Sequence, residues 1–164
     1  MTVPSTDSAH FLRYARGVYE FETGPRRLAI IRLRGQITRE DLDRMIADTD
    51  AFLAEAEPFA FMYDISDAEL PPRGEVMRVL RWVQAARNRV QDTYDRAVPP
   101  IPYFSAYYMP SMLGNLLRFF LQMIPSLRGQ QVICQTAEEG LEACEEALDR
   151  MEFGVPGEQN RPTG

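Results

Sequence analysis

The chain of 164 residues contains no lysine, and all 18 of its basic side chains are arginine. That absence excludes Schiff-base chemistry, the phosphate-gripping lysine of a P-loop and the lysine that phospho-accepting receiver folds use. Histidine is almost missing as well: His10 stands alone, without a second ligand at helical or strand spacing, and is expected to be an ordinary surface side chain. The two cysteines, Cys134 in a predicted strand and Cys144 on the apolar stripe of a predicted helix, read as reduced core residues, because neither a disulfide framework nor a zinc site has this pattern. No Gly-rich phosphate cradle and no nucleophile elbow occurs. The first 16 residues lack the basic start and apolar core of a signal peptide. No apolar run reaches the ~20 residues of a membrane-crossing helix, so the chain is expected to be cytoplasmic and not transmembrane. A formal net charge of −6 argues against nucleic acid as a partner.

What is present suits one domain with a core of its own. Its most apolar strand pattern is Phe59-Ala-Phe-Met-Tyr-Asp-Ile-Ser-Asp67, a buried central strand whose carboxyl end opens onto a polar stretch. In an open α/β sheet that end is where function usually sits. Upstream, Met1 to Ser8 is polar, and Phe11, Leu12 and Tyr14 predict a short turn or helix docked on the body. Val18 to Glu22 alternates apolar and polar, and Leu28 to Arg34 is a second strand joined to it by the turn Thr23 to Arg26. Thr38 and Asp41 resemble a capping box at the start of a helix whose apolar face carries Leu42, Met45, Ile46, Thr49, Phe52, Leu53 and Ala56, and Pro58 stops it.

A second helix is predicted from Arg73 to Val90, with Val76, Val79, Leu80, Val83, Ala86 and Val90 on its buried arc and Arg78, Arg81 and Arg89 opposite. Gln91 to Pro100 reads as a linker. Ile101 to Met109 is an aromatic strand ended by Pro110. A third helix, Ser111 to Ile124, is apolar over an arc of about 200°, roughly twice the usual stripe. Met112, Phe119 and Met123 form one edge of that arc, with Leu117 and Leu121 at the other. The surplus must be met by a second copy, by a lipid-like ligand, or by the N-terminal Phe11, Leu12 and Tyr14 folding over it. Gln131 to Gln135 is the last strand, and Thr136 with Glu139 caps a final helix striped by Ala137, Leu141, Cys144, Leu148 and Met151. Residues 1–16 therefore form an N-terminal segment, 17–152 the domain, and 153–164 a tail expected to be disordered.

The order β-β-α-β-α-β-α-β-α implies an α/β fold, a mixed β-sheet with helices packed against it. That order, together with the strand ending in Asp64-Ile65-Ser66-Asp67 and a helix beginning some six residues later, resembles a STAS domain, the fold of anti-sigma-factor antagonists and their SpoIIAA-like relatives. The resemblance spans about residues 18 to 151. It implies a non-enzymatic bacterial signalling module whose partner is a protein such as a regulatory kinase or scaffold. Phospho-regulated members carry a Ser at the start of the second helix. Here that place reads Leu70-Pro71-Pro72-Arg73-Gly74, so switching by Ser phosphorylation is not expected, and Ser66 is expected to bond turn amides instead. SpoIIAA-like members are also similar in fold to lipid-exchange domains, which fits the over-apolar third helix.

Three functions follow. As an interaction module, the chain would dock a partner through Asp67, Glu69, Arg73, Arg78, Arg81 and Arg89. As a binding protein, it would use the third helix and the aromatic strand as walls of an apolar pocket for a lipid-like ligand. An enzyme would have to work with Asp64 and Asp67 alone, two carboxylates with no His, Cys, Lys or third acid nearby, so no catalytic residue, metal or cofactor is expected.

Overall fold

The computed structural model describes residues 12–16, 19–24, 26–123 and 130–153, with side chains described for 19–24, 26–119 and 130–153. Six strands form one mixed sheet in the order in which they follow one another along the chain. They are β1 (Leu12–Arg16), β2 (Tyr19–Thr23), β3 (Leu28–Gly35), β4 (Phe59–Ala68), β5 (Tyr103–Tyr108) and β6 (Gln131–Ile133). β1, β2 and β3 pair antiparallel, and β3 to β6 pair parallel. The expected α/β class and mixed sheet are thus found, with one strand more than the sequence pattern suggested. Leu12 to Arg16 forms neither a turn nor a short helix but pairs with β2, from Leu12 opposite Thr23 to Arg16 opposite Tyr19. The physical reason is the open edge of β2, whose unpaired amides and carbonyls are a template for any adjacent extended segment.

Three helices, α1 (Arg39–Ala54), α2 (Arg73–Val90) and α3 (Met112–Met123), connect the parallel strands, and α4 (Ala137–Phe153) follows the last. One apolar layer joins Leu42, Phe52, Val79, Leu113 and Leu117 of the three connecting helices to Phe21, Ile31, Leu33, Phe59, Phe61 and Tyr103 of the sheet. The other layer sets Cys144, Ala147 and Leu148 of α4 on Ile30, Ala60, Met62 and Ala106. α4 comes close because position 140 is glycine: a Cβ there would lie 2.5 Å from the Met62 sulfur. At its far end, Asp149 accepts a 2.6 Å bond from Arg26.

Local chemistry places the helices. Thr38 caps α1, its hydroxyl accepting from the Asp41 amide at 3.2 Å while the Asp41 carboxylate accepts from the Thr38 amide at 3.1 Å. Arg44 adds a 2.7 Å contact to the same carboxylate. At the other end, Arg27 donates to the Phe52 carbonyl at 3.2 Å and lies 3.9 Å above the Phe52 ring, a cation where the helix dipole is negative. The cap of α4 is a variant: Thr136 accepts from the Glu139 amide at 3.1 Å, and Glu139 accepts in return from Gln135 at 2.8 Å.

Two segments depart from the sequence pattern. α2 does not give way to a linker at Gln91 but continues into a π-helical turn, Gln91–Asp95. The wider turn brings Tyr94 fully into the core, where its hydroxyl donates to the Leu53 carbonyl at 3.1 Å. β4 runs on to Ala68, past a register shift in which Arg32 faces Asp64 but Arg34 faces Asp67. Three residues of β4 thus span two of β3, a bulge at Ile65-Ser66. Its freed backbone groups are met by side chains: Ser66 N–H donates to Asp64 at 3.2 Å, and the Ser111 hydroxyl donates to the Ile65 carbonyl. The bulge turns Ala68 toward the apolar layer and leaves Asp67 exposed.

Burial works against the ionised Asp41 carboxyl, but the bonds from Thr38 and the Arg44 guanidinium outweigh it and hold its pKa below the ordinary 3.8. The stabilisation is therefore complete above the unfolded value and fades as pH falls through the lower folded one. Asp41→Ala should cost about 1–2 kcal/mol in urea unfolding near neutrality. The difference from wild type should shrink below pH 3.8, and an equal difference across that range would contradict the assignment.

Candidate functional site

A cavity of about 130 Å³ lies between the sheet and the three connecting helices. Its floor is a ladder of cross-strand pairs set by the β4/β5 register: Phe59 beside Tyr103, Phe61 beside Ser105, and Tyr63 beside Tyr107. The first and last rungs are stacked aromatics, with centroids 5.8 Å apart at 19° and 5.0 Å apart at 9°. The middle rung holds Ser105, the smallest residue of the six, and space opens there. Gln131 flanks it from β6, opposite Ser105.

The roof is α2, which stands off the sheet. Of its apolar stripe only Val79 and Val90 are buried, while Trp82, Val83 and Ala86 remain partly open and line the cavity. α1 contributes Met45 and Thr49, and α3 contributes Leu113 and Leu117. α3 is held close at its start, because a Cβ on Gly114 would meet the Met109 carbonyl oxygen at 2.5 Å. Behind the first rung Tyr94 packs edge-to-face on Phe59, 5.2 Å between centroids.

The lining is apolar but not wholly so. Burial pushes the Tyr107 hydroxyl up to about 12 and raises Tyr63 well above its ordinary value, so both stay neutral. The Thr49 hydroxyl and the Trp82 indole nitrogen are enclosed without a hydrogen-bond partner. Trp82 is the only tryptophan of the chain, and the sequence pattern of α2 passed over it. Its spacing, three residues after Val79 and four before Ala86, was the available signal.

The residues expected to meet a partner fall into two groups. Asp67, Glu69 and Arg73 are exposed at the carboxyl ends of the parallel strands, where β4 leads into α2. Arg78 and Arg89 turn to α1 instead: Arg78 pairs with Asp43 and, at 3.6 Å, with Glu75, and Arg89 pairs with Asp50 at 2.6 Å. Two cations of this face are thus matched by Asp43 and Asp50 of α1, which the one-helix pattern did not place beside it. Arg81 is exposed and donates to the Met77 carbonyl at 3.3 Å. Ser66 does not bond turn amides; its hydroxyl donates to Asp64 at 2.6 Å, because the bulge places the two side by side.

On α3, Met112 and Phe119 are 69% and 63% exposed, and the side chain of Met123 lies outside the described residues. The strand that carries Leu12 and Tyr14, β1, runs at the opposite edge of the sheet from β5 and β6, which α3 connects, and Phe11 lies outside the described residues.

Both cysteines are free and buried. Burial raises Cys134 and pushes Cys144 up to about 12, and the Cys144 thiol donates to the Phe61 carbonyl at 3.4 Å. Among the described residues no group of three His, Cys, Asp or Glu side chains could hold a metal ion, and no helix is long and apolar enough to cross a membrane. At mildly alkaline pH a disulfide reagent such as dithiobis(nitrobenzoate) should find no fast thiol in the native protein and two after unfolding in guanidinium. A rapid native reaction would contradict this placement of the cysteines. No family model, curated protein or solved structure matches the chain.

Proposed function

We propose that the protein binds a small, largely apolar molecule in the cavity between the sheet and the connecting helices. The observation that carries this reading is the cavity itself, ringed by aromatic and aliphatic side chains with a few polar atoms among them, the usual make-up of a ligand site. Close packing is the rule in protein interiors, and an apolar space of this kind is a departure from it. An engineered apolar cavity of ~150 Å³ takes up benzene, so about 130 Å³ suits a ring or a short branched chain more than a whole lipid. The likeness in fold between SpoIIAA-like and lipid-exchange domains agrees with an apolar ligand.

Toluene is the simplest probe. It should raise the melting temperature in proportion to the logarithm of its concentration, by about 1.4 kcal/mol of stability at ten times its Kd. Ala86→Leu, which extends a roof side chain into the space, should by itself stabilise the fold by roughly 0.5–2 kcal/mol and remove the toluene effect. An unchanged melting temperature with saturating toluene would overturn the proposal.

A second reading, a protein-interaction module of the STAS type, is favoured by the exposed Met112 and Phe119 of α3. Large apolar side chains exposed together mark contact surfaces more often than they mark ordinary monomer surface. The occupant that fits most simply is a second copy of this chain, since one patch then meets its own equivalent. Sedimentation should show a dimer for the wild type, and a folded monomer of similar melting temperature for Phe119→Glu. A wild-type monomer at high concentration would end this reading without touching the first.

A further inference from the structure

Resting on the reading that the cavity takes a small, largely apolar molecule, we infer that its occupant is an amphiphile, with a ring or short branched chain inside and a carboxylate at the mouth between Arg87 and Gln131. The lining divides by exposure. Its residues from α1 and α3, Leu42, Met45, Thr49, Leu53, Leu113 and Leu117, are all buried. Val83, Ala86 and Arg87 of α2, Ser105 of β5 and Gln131 of β6 keep partial exposure. The cavity therefore opens along α2. α1 packs against α2, where Asp43–Arg78 and Asp50–Arg89 tie the two together, whereas α3 makes at most a marginal backbone approach to it. At about 100° per residue Arg87 lies roughly 180° around the helix from Arg78, on the side turned away from α1. Ser105 and Gln131 are register partners on parallel strands, and Ser105 is in turn opposite Phe61 of the apolar layer. All three side chains thus share the face under the connecting helices. The mouth is the gap between α2 and α3 over β5 and β6, flanked by Arg87 on one side and Gln131 on the other.

The chemistry of this mouth selects the head group. Among the described residues no aspartate or glutamate lines the cavity, although the protein carries a net charge of −6, and Arg87 is the one charged residue in the lining. Arg87 already has a partner within the protein, but a guanidinium presents several N–H donors in a planar fork, and the Gln131 amide adds its own. Donors in excess, with a positive charge among them, match an acceptor that carries negative charge, and a carboxylate is the compact form of it. In the apolar interior such a group would lose its hydration without return; at a partly open mouth it keeps water on its outer side. A cationic head meets repulsion from Arg87. The interior, about 130 Å³ and walled by Phe61, Leu113 and Leu117, takes the apolar end, and the small Ser105 leaves room for it to enter.

Phenylpropanoate, phenylpropanol and phenylpropylamine share a ring and a chain and differ only in the head group. Calorimetric titration of the wild type near neutral pH should show the acid binding about tenfold more tightly than the alcohol, as a charge-assisted hydrogen bond predicts, and the amine most weakly. Added salt should narrow the difference, because the mouth is open to solvent. Arg87→Met, which keeps the aliphatic stem, should bring the acid level with the alcohol and leave toluene within about twofold, and Arg87→Lys should restore the preference in part. Gln131→Glu places a carboxylate at the same mouth without touching Arg87 or its partner, and should turn the order round in favour of the amine. If Arg87→Met does not fold, Gln131→Glu decides. An acid that binds no more tightly than the alcohol, or a preference that both changes leave intact, would overturn the inference while toluene binding upholds the cavity reading. Tightest binding of the amine by the wild type would overturn it as well, and failure of all three compounds and of toluene would overturn both.

Discussion

A crossover between neighbouring parallel strands is right-handed, and that handedness decides on which face of the sheet the connecting helix lies. Here every crossover from β3 to β6 steps to the next strand in the same direction, so α1, α2 and α3 are all carried to one face. The other face of the parallel part is left to α4. Much else depends on this asymmetry. α4 lies directly on the sheet, with glycine where the two approach most closely. The three connecting helices share a crowded layer in which α1 and α3 reach the sheet and α2, between them, is held partly away from it.

The charges of α2 take their meaning from that arrangement. Asp43 and Asp50 lie one heptad apart on α1 and meet Arg78 and Arg89, so the two helices are tied along their length by bridges at the protein surface. Exposed pairs of this kind contribute little to stability, on the order of 1 kcal/mol or less each. Their value is positional: they keep α2 in register beside α1 although its apolar stripe does not reach the sheet everywhere. The π-helical turn that ends α2 serves the same purpose, since it lets Tyr94 anchor the end of the helix to the α1 carbonyl at Leu53.

The cavity is the space left by these constraints. Aromatic rungs prop the floor at both ends, and the small Ser105 lies between them. A fold selected only for stability would have filled that gap, because each methylene added to a buried space contributes roughly 0.8 kcal/mol. Instead the lining keeps a serine on β5 and an alanine on α2. Stability and binding pull in opposite directions at such a place.

The elements of this fold were largely legible in the linear pattern, because their signals are local. Thr38 and Asp41 announce the start of α1 through contacts three residues apart, Pro58 and Pro110 stop what precedes them, and the 3.6-residue stripe of α2 marks its limits at Arg73 and Val90. What only the tertiary structure decided depends on partners distant in sequence. Leu12–Arg16 is a strand because the edge of β2 is open to it, the bulge at Ile65-Ser66 is a matter of register against β3, and Arg78 and Arg89 have counterions because α1 lies alongside. The candidate site belongs wholly to this second class. Thr49, Trp82 and Ser105 sit on three different elements, each passes for an ordinary member of its own helix or strand, and only the packing of those elements brings them around one space.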